Sequence, residues 1–143
     1  MNKTKYYIAY GSNLNKKQMS ERCPSAVFVG AASITGYELI FKRVASIEEK
    51  KGAILPVGIW EIDDICERSL DRYEGYPRTY GKKNIKFKLG EQELSGICYI
   101  KNAGLYELPT EVYYNKIETG YNDFELDINY LIKAFERTKE RIK

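Results

Sequence analysis

The order in which two hydrophobic periods appear limits the folds open to this chain. Apolar runs of strand type fill most of the first two thirds, and helical spacing dominates the end. Residues 5–10 (KYYIAY) read as a buried strand, and 26–34 (AVFVGAASI) as a weaker one. Residues 37–46 and 53–62 are two more, separated by the charged loop IEEKKG. Pro56 and Gly58 predict a bulge or an edge position in the second of these. Residues 84–89 alternate Ile85, Phe87 and Leu89, and pair with 93–100 across Gly90-Glu91-Gln92. A first helical stripe runs Ile62, Ile65, Cys66, Ser69, Leu70, Tyr73, with Asp64 and Glu67 resembling a capping box and Gly75 with Pro77 as the stop. PTEVYYNKIETGY (109–121) brackets a shorter helix between Pro109 and Gly120. The last stripe, Phe124 to Phe135, takes Asn122 and Glu125 as its capping pair. Strands mostly first and helices late predict an α+β fold. A length of 143 residues with no linker or repeat predicts one domain, residues 1–143.

Chemistry is constrained most by an absence: the chain has no histidine. Ser-His-Asp and Cys-His catalysis are thereby excluded, along with the commonest zinc ligand. Proton transfer near neutrality would fall to a carboxylate of raised pKa, a lysine of lowered pKa, a cysteine or a tyrosine. Tyrosine is plentiful, at 13 residues, and its polar tip suits the wall of a small polar pocket. The net charge is only +3, with basic residues in pairs rather than stripes, which argues against nucleic-acid binding. No apolar run is long enough to span a bilayer. Cys23, Cys66 and Cys98 are odd in number and far apart, which predicts reduced thiols and a cytoplasmic protein rather than a disulfide framework.

Two places carry candidate chemistry. In YYIAYGSNLNKKQM (6–19) an apolar run stops at Gly11-Ser12-Asn13 and a helix starts at once. Asn15 and Gln18 have capping-box spacing, and Leu14 and Met19 sit at the staple positions. Gly11 allows a bend or the close approach of a ligand. Unpaired N–H groups of such a loop attract anions, yet a plain strand-to-helix turn has the same spacing, and both readings stand. The second place is Glu74, at the edge of its apolar stripe in the last turn of its helix. Burial and the helix dipole would both raise its pKa, as acid–base work needs. Taken alone, its spacing favours an exposed helix-end glutamate. Nearby Tyr73, Tyr76 and Tyr80 close a pocket or fill a core.

YGSNL (10–14), LDRYEGYP (70–77) and PTEVYYNKIETGY (109–121), in that order and with PVGIWEIDD before the second, resemble the signature of the gamma-glutamylcyclotransferase-like family. The resemblance covers essentially the whole chain. It departs at Thr110, where serine is frequent, and at Gly81-Lys82-Lys83, where an arginine often follows Tyr80; the second bears on pocket charge. The resemblance implies a small mixed β-barrel flanked by helices, with one pocket and no metal or organic cofactor. It implies substrate binding by Tyr7, Ile8, Ala9, Tyr10, Gly11, Ser12 and Asn13, with Tyr113 as a further contact and Glu74 as the acid–base group. The implied reaction is cyclisation of a gamma-glutamyl substrate to 5-oxoproline with release of an amine or amino acid. A pocket that only binds, or gamma-glutamyl transfer or hydrolysis on a larger metabolite, is the alternative. The expected partner is a small molecule, with no nucleic acid or membrane, in a monomer or weak homodimer.

Overall fold

The structure, a computed structural model, describes residues 4–142. Its elements are β1 (Lys5–Ala9), α1 (Lys16–Arg22), β2 (Val27–Lys42), β3 (Val44–Ile62), α2 (Asp64–Glu74), β4 (Tyr80–Leu89), β5 (Gln92–Lys101), α3 (Glu111–Asp123) and α4 (Asn129–Arg141). The strands close into a barrel in the order β1-β3-β2-β4-β5. The β1–β5 contact is parallel and the others are antiparallel. This is the mixed barrel with flanking helices, of α+β class, that the motifs imply.

The charged segment IEEKKG is not a loop. β2 and β3 form one long hairpin that turns at Arg43, and Ile47, Glu48 and Glu49 pair with Leu39, Glu38 and Tyr37. Their charges leave the sheet outward: Glu48 meets Arg141 and Tyr106, so a run of charges is compatible with a paired strand. Register slips between Thr35 and Tyr37, where Gly36 and Gly52 both have positive φ. Pro56 holds an edge position, because β1 pairs with β3 only over Gly58–Ile62. Gly58 answers to packing instead: a Cβ there would meet Leu14 and Phe124 side chains at 2.6 and 2.7 Å. One at Gly120 would meet Leu14 at 2.5 Å. These two glycines seat Leu14 between β3 and α3, and Leu14 closes the loop that follows β1.

Helix ends differ from their spacing in instructive ways. Asn15 caps α1 by accepting from the Gln18 N–H at 3.0 Å, but the Gln18 side chain bonds Asn13 rather than reaching back. The cap of α2 is Asp63, not Asp64, which frees Glu67 to bind Lys5 and Lys82 at 2.6 and 2.7 Å. Gly75 ends α2 in the left-handed conformation, followed by a cis Tyr76–Pro77 bond. Thr110 caps α3, which continues through Gly120 to Asp123. Phe124 and Glu125 therefore lie at the end of α3, and α4 starts later, without a side-chain cap. The largest correction concerns cysteine. Cys23 and Cys66 form a disulfide, Cα atoms 5.1 Å apart, joining the end of α1 to the start of α2. A spacing of 43 residues concealed a pairing made only by folding. Cys98 is free and buried. Among the described residues no helix is long and apolar enough to cross a membrane.

Candidate active site

β1 delivers the chain to one end of the barrel, where Gly11 and a short 3₁₀ turn, Ser12–Leu14, redirect it into α1. A Cβ on Gly11 would stand 2.9 Å from the Ala45 Cβ and 3.6 Å from the Tyr113 hydroxyl, so only glycine lets the loop lie this close to both. The N–H groups of Ser12 and Asn13 open the turn and have no partner within it. Beside this loop is a small, partly open cavity. Tyr7, Tyr10, Gly11, Ser12, Asn13, Glu74 and Tyr113 all line it, brought together from β1, its loop, α2 and α3. Ile8 and Ala9 are buried in β1 but are not part of the lining.

Ala45, Tyr80 and Tyr99 complete the wall. Of the three tyrosines near Glu74 in sequence, Tyr80 lines the cavity, while Tyr73 and Tyr76 are exposed. Ala45 has no polar side chain to betray it. Its contribution is backbone: its N–H donates to the Tyr113 hydroxyl at 2.9 Å, and its carbonyl accepts from Tyr80 at 3.0 Å. Tyr99 is one of many tyrosines in the sequence, and nothing local distinguishes it.

Glu74 is the one carboxylate of the lining. Burial raises its pKa above the ordinary 4.5, and Arg22 partly opposes that shift. No hydrogen bond from the described side chains reaches the carboxyl, so the Arg22 charge alone opposes the upward shift that burial causes. The lysine that departs from the family pattern adds no charge here. Lys82 points to α2, where it binds Glu67 and Asp71 at 2.7 and 2.8 Å and lies over the ring of Tyr76.

Four of the tyrosine hydroxyls have defined directions because their partners are one-way groups. Tyr10 donates to the Tyr99 carbonyl at 2.5 Å, Tyr80 to the Ala45 carbonyl, and Tyr99 to the Asp71 carboxylate at 2.5 Å. Tyr113 instead accepts from Ala45, with Ser12 also beside it. Tyr7 accepts from the Asn13 side-chain amide at 2.9 Å. Burial raises the pKa of every one of these phenols, so all are protonated near neutrality.

This arrangement combines a small polar cavity, a raised-pKa carboxyl, backbone N–H groups and phenolic donors. It can curl and hold a short polar chain while one group moves a proton. The model of the family described as gamma-glutamyl cyclotransferase, AIG2-like, matches residues 7–121. Among solved structures, one titled gamma-glutamyl cyclotransferase is similar with a TM-score of 0.80 at 23% identity, over 98% of this chain and 89% of that one. An uncharacterised protein from Homo sapiens gives 0.79 at 24%, over 97% and 88%. YkqA from Bacillus subtilis gives 0.77 at 21%, over 98% of this chain but 56% of its own. No curated protein matches. At these identities the solved structures establish the fold, and the family match covers the loop, Glu74 and Tyr113 together. The chain belongs to the gamma-glutamyl cyclotransferase, AIG2-like family.

Proposed function

We propose that this protein is a gamma-glutamyl cyclotransferase in which Glu74 serves as both base and acid. The observation that carries this reading is that the Glu74 carboxyl and the Gly11–Asn13 loop face one cavity. The substrate supplies its own nucleophile, the alpha-amine of its glutamyl unit. Glu74 takes a proton from that amine as its nitrogen bonds to the gamma-carbonyl carbon. The resulting tetrahedral oxyanion collapses, the gamma-amide C–N bond breaks, and Glu74 returns the proton to the departing nitrogen. The products are 5-oxoproline and a free amine or amino acid, with atoms and charge balanced. Closing a five-membered ring is intramolecular, so holding the chain curled supplies much of the acceleration. A base with a pKa raised towards neutrality is suited to taking and returning the same proton.

In this reading the protein acts as a single domain on a small molecule, as a monomer or weak homodimer, without nucleic acid or membrane. A cytoplasmic location is part of the proposal, and the Cys23–Cys66 bond counts against it, because such bonds are commoner in oxidising compartments. The test is release of 5-oxoproline from a panel of gamma-glutamyl amines and amino acids. Wild type is expected to turn over at least one of them, and Glu74→Gln to lose roughly 10²–10⁴-fold in kcat. A Glu74→Gln enzyme at near-full rate rejects the mechanism. Glutamate in place of 5-oxoproline indicates hydrolysis or transfer, and saturable binding without any product indicates a binding protein.

A further inference from the structure

Asn13 is 3% exposed, and every polar atom of its side chain is engaged. Its Oδ1 accepts from Arg22 Nη1 at 2.8 Å and from Gln18 Nε2 at 3.1 Å. Its Nδ2 donates to the Tyr7 hydroxyl at 2.9 Å, and its carbonyl accepts from the Trp60 indole at 2.9 Å. The amides of Asn13 and Gln18 can each exchange oxygen and nitrogen by a half-turn, so their mutual bond has no intrinsic direction. A guanidinium has no such freedom, because it only donates. Arg22 is itself held on two sides: its guanidinium lies 4.5 Å over the Tyr73 ring, and its carbonyl accepts from Ser69 at 2.7 Å.

We propose that Arg22 is a positioning residue that sets the direction of a hydrogen-bond relay, Arg22 to Asn13 to Tyr7, and thereby makes the Tyr7 hydroxyl a proton donor to a substrate oxygen. With its lone pair taken by Asn13, the Tyr7 hydroxyl has its proton free for the cavity. The protons of Tyr10, Tyr80 and Tyr99 are committed to protein acceptors. Without Arg22 the Asn13 amide can turn over, present oxygen to Tyr7, and draw that proton away from the substrate. Arg22 does this from outside the cavity, since it is not among the lining residues.

The catalytic part of this inference rests on the function proposed above, so its test has two readouts. In the ligand-free protein labelled with ¹⁵N, the Asn13 side-chain amide protons are expected to exchange slowly, and Arg22→Met to accelerate that exchange at least tenfold. Unchanged protection in Arg22→Met overturns the proposal, whatever the substrate. In the 5-oxoproline assay, Tyr7→Phe and Arg22→Met are each expected to lose roughly 10- to 100-fold in kcat/KM. The double variant is expected to fall within about threefold of Tyr7→Phe, because both changes remove one donor. Losses that multiply instead mean that Arg22 acts elsewhere, through the charge of Glu74 or through folding, and the proposal fails while the cyclotransferase reading stands. An inactive wild type with the amide protection behaving as expected keeps the relay and rejects the cyclotransferase. Thermal unfolding is followed for each variant. Arg22→Lys, which keeps a donor-only cation, replaces Arg22→Met should that variant not fold, and is expected to retain the amide protection that a neutral residue loses.

Discussion

Glu74 is held where its charge is costly, and the cost has a measurable sign. Burial raises the carboxyl's pKa in the folded chain above its ordinary 4.5, with the Arg22 charge opposing. Between 4.5 and the raised value the folded state binds the extra proton, so stability falls as pH rises through that window. Glu74→Gln keeps the shape and cannot ionise. It is therefore expected to raise the melting temperature at neutral pH, with the gain over wild type vanishing below pH 4.5, where both chains are neutral at this position. Melting curves from pH 4 to 8 would check this, and a loss of stability at neutral pH would mean that the carboxylate has a stabilising partner. A residue whose removal strengthens the fold is what a functional group kept at the expense of stability looks like. Glu67, seven residues earlier on the same helix, illustrates the opposite case. Burial pushes its carboxyl up, but the hydrogen bonds from Lys5 and Lys82 outweigh burial and hold it below the ordinary value.

At the scale of elements, that pair of lysines anchors α2, and so Glu74, to the barrel. Lys5 stands on β1 and Lys82 on β4, and Lys82 also reaches Asp71, which in turn accepts from Tyr99 of β5. Glu67→Gln is expected to destabilise the fold by roughly 1–2 kcal/mol at pH 7, a figure discounted for the partial exposure of the network. The stabilisation from Glu67 is present above pH 4.5 and is lost as pH falls through the lowered value. The gap between variant and wild type, read from urea denaturation, is thus expected to close in acid; a gap independent of pH would assign the loss to packing. The elements themselves show which physics is legible in one dimension. Asn15, Thr110 and Gly75 act within a few residues of themselves, and the helix ends they mark are close to where local spacing puts them. Glu67 illustrates the converse: its spacing imitates a capping box, while its partners lie 62 and 15 residues away. The segment IEEKKG reads as a loop because its charges hide the strand, and the ion pair that accommodates Glu48 comes from α4. In the candidate site, Glu74, the Gly11–Asn13 loop and Tyr113 are picked out by the resemblance of their motifs rather than by local spacing, while Ala45 serves through its backbone and Tyr99 through its position, and neither leaves a local mark.

Across the whole molecule, the site lies where two covalently joined helices meet the barrel end. α1 follows the Gly11–Asn13 loop and α2 ends in Glu74, and the Cys23–Cys66 bond ties the far end of the first to the near end of the second. The closed loop is 43 residues long and contains the β2–β3 hairpin, so cross-linking restricts a large part of the unfolded chain. Chain entropy alone puts the stabilisation at about 4 kcal/mol for a loop of this length. Cys23→Ser with Cys66→Ser is therefore expected to lower the melting temperature by roughly 8–16 °C, taking about 2–4 °C per kcal/mol for a chain of this size. The bond itself is checked by alkylating the denatured, unreduced protein and weighing it: one thiol, that of Cys98, is expected to react, and three after reduction. Three reactive thiols before reduction would return the chain to the reduced state that its cysteine spacing predicts. Because the bond joins the two helices that bring loop and carboxyl together, its loss is expected to loosen that approach as well. Reduction without mutation should then raise KM for a gamma-glutamyl substrate at temperatures well below the melting transition.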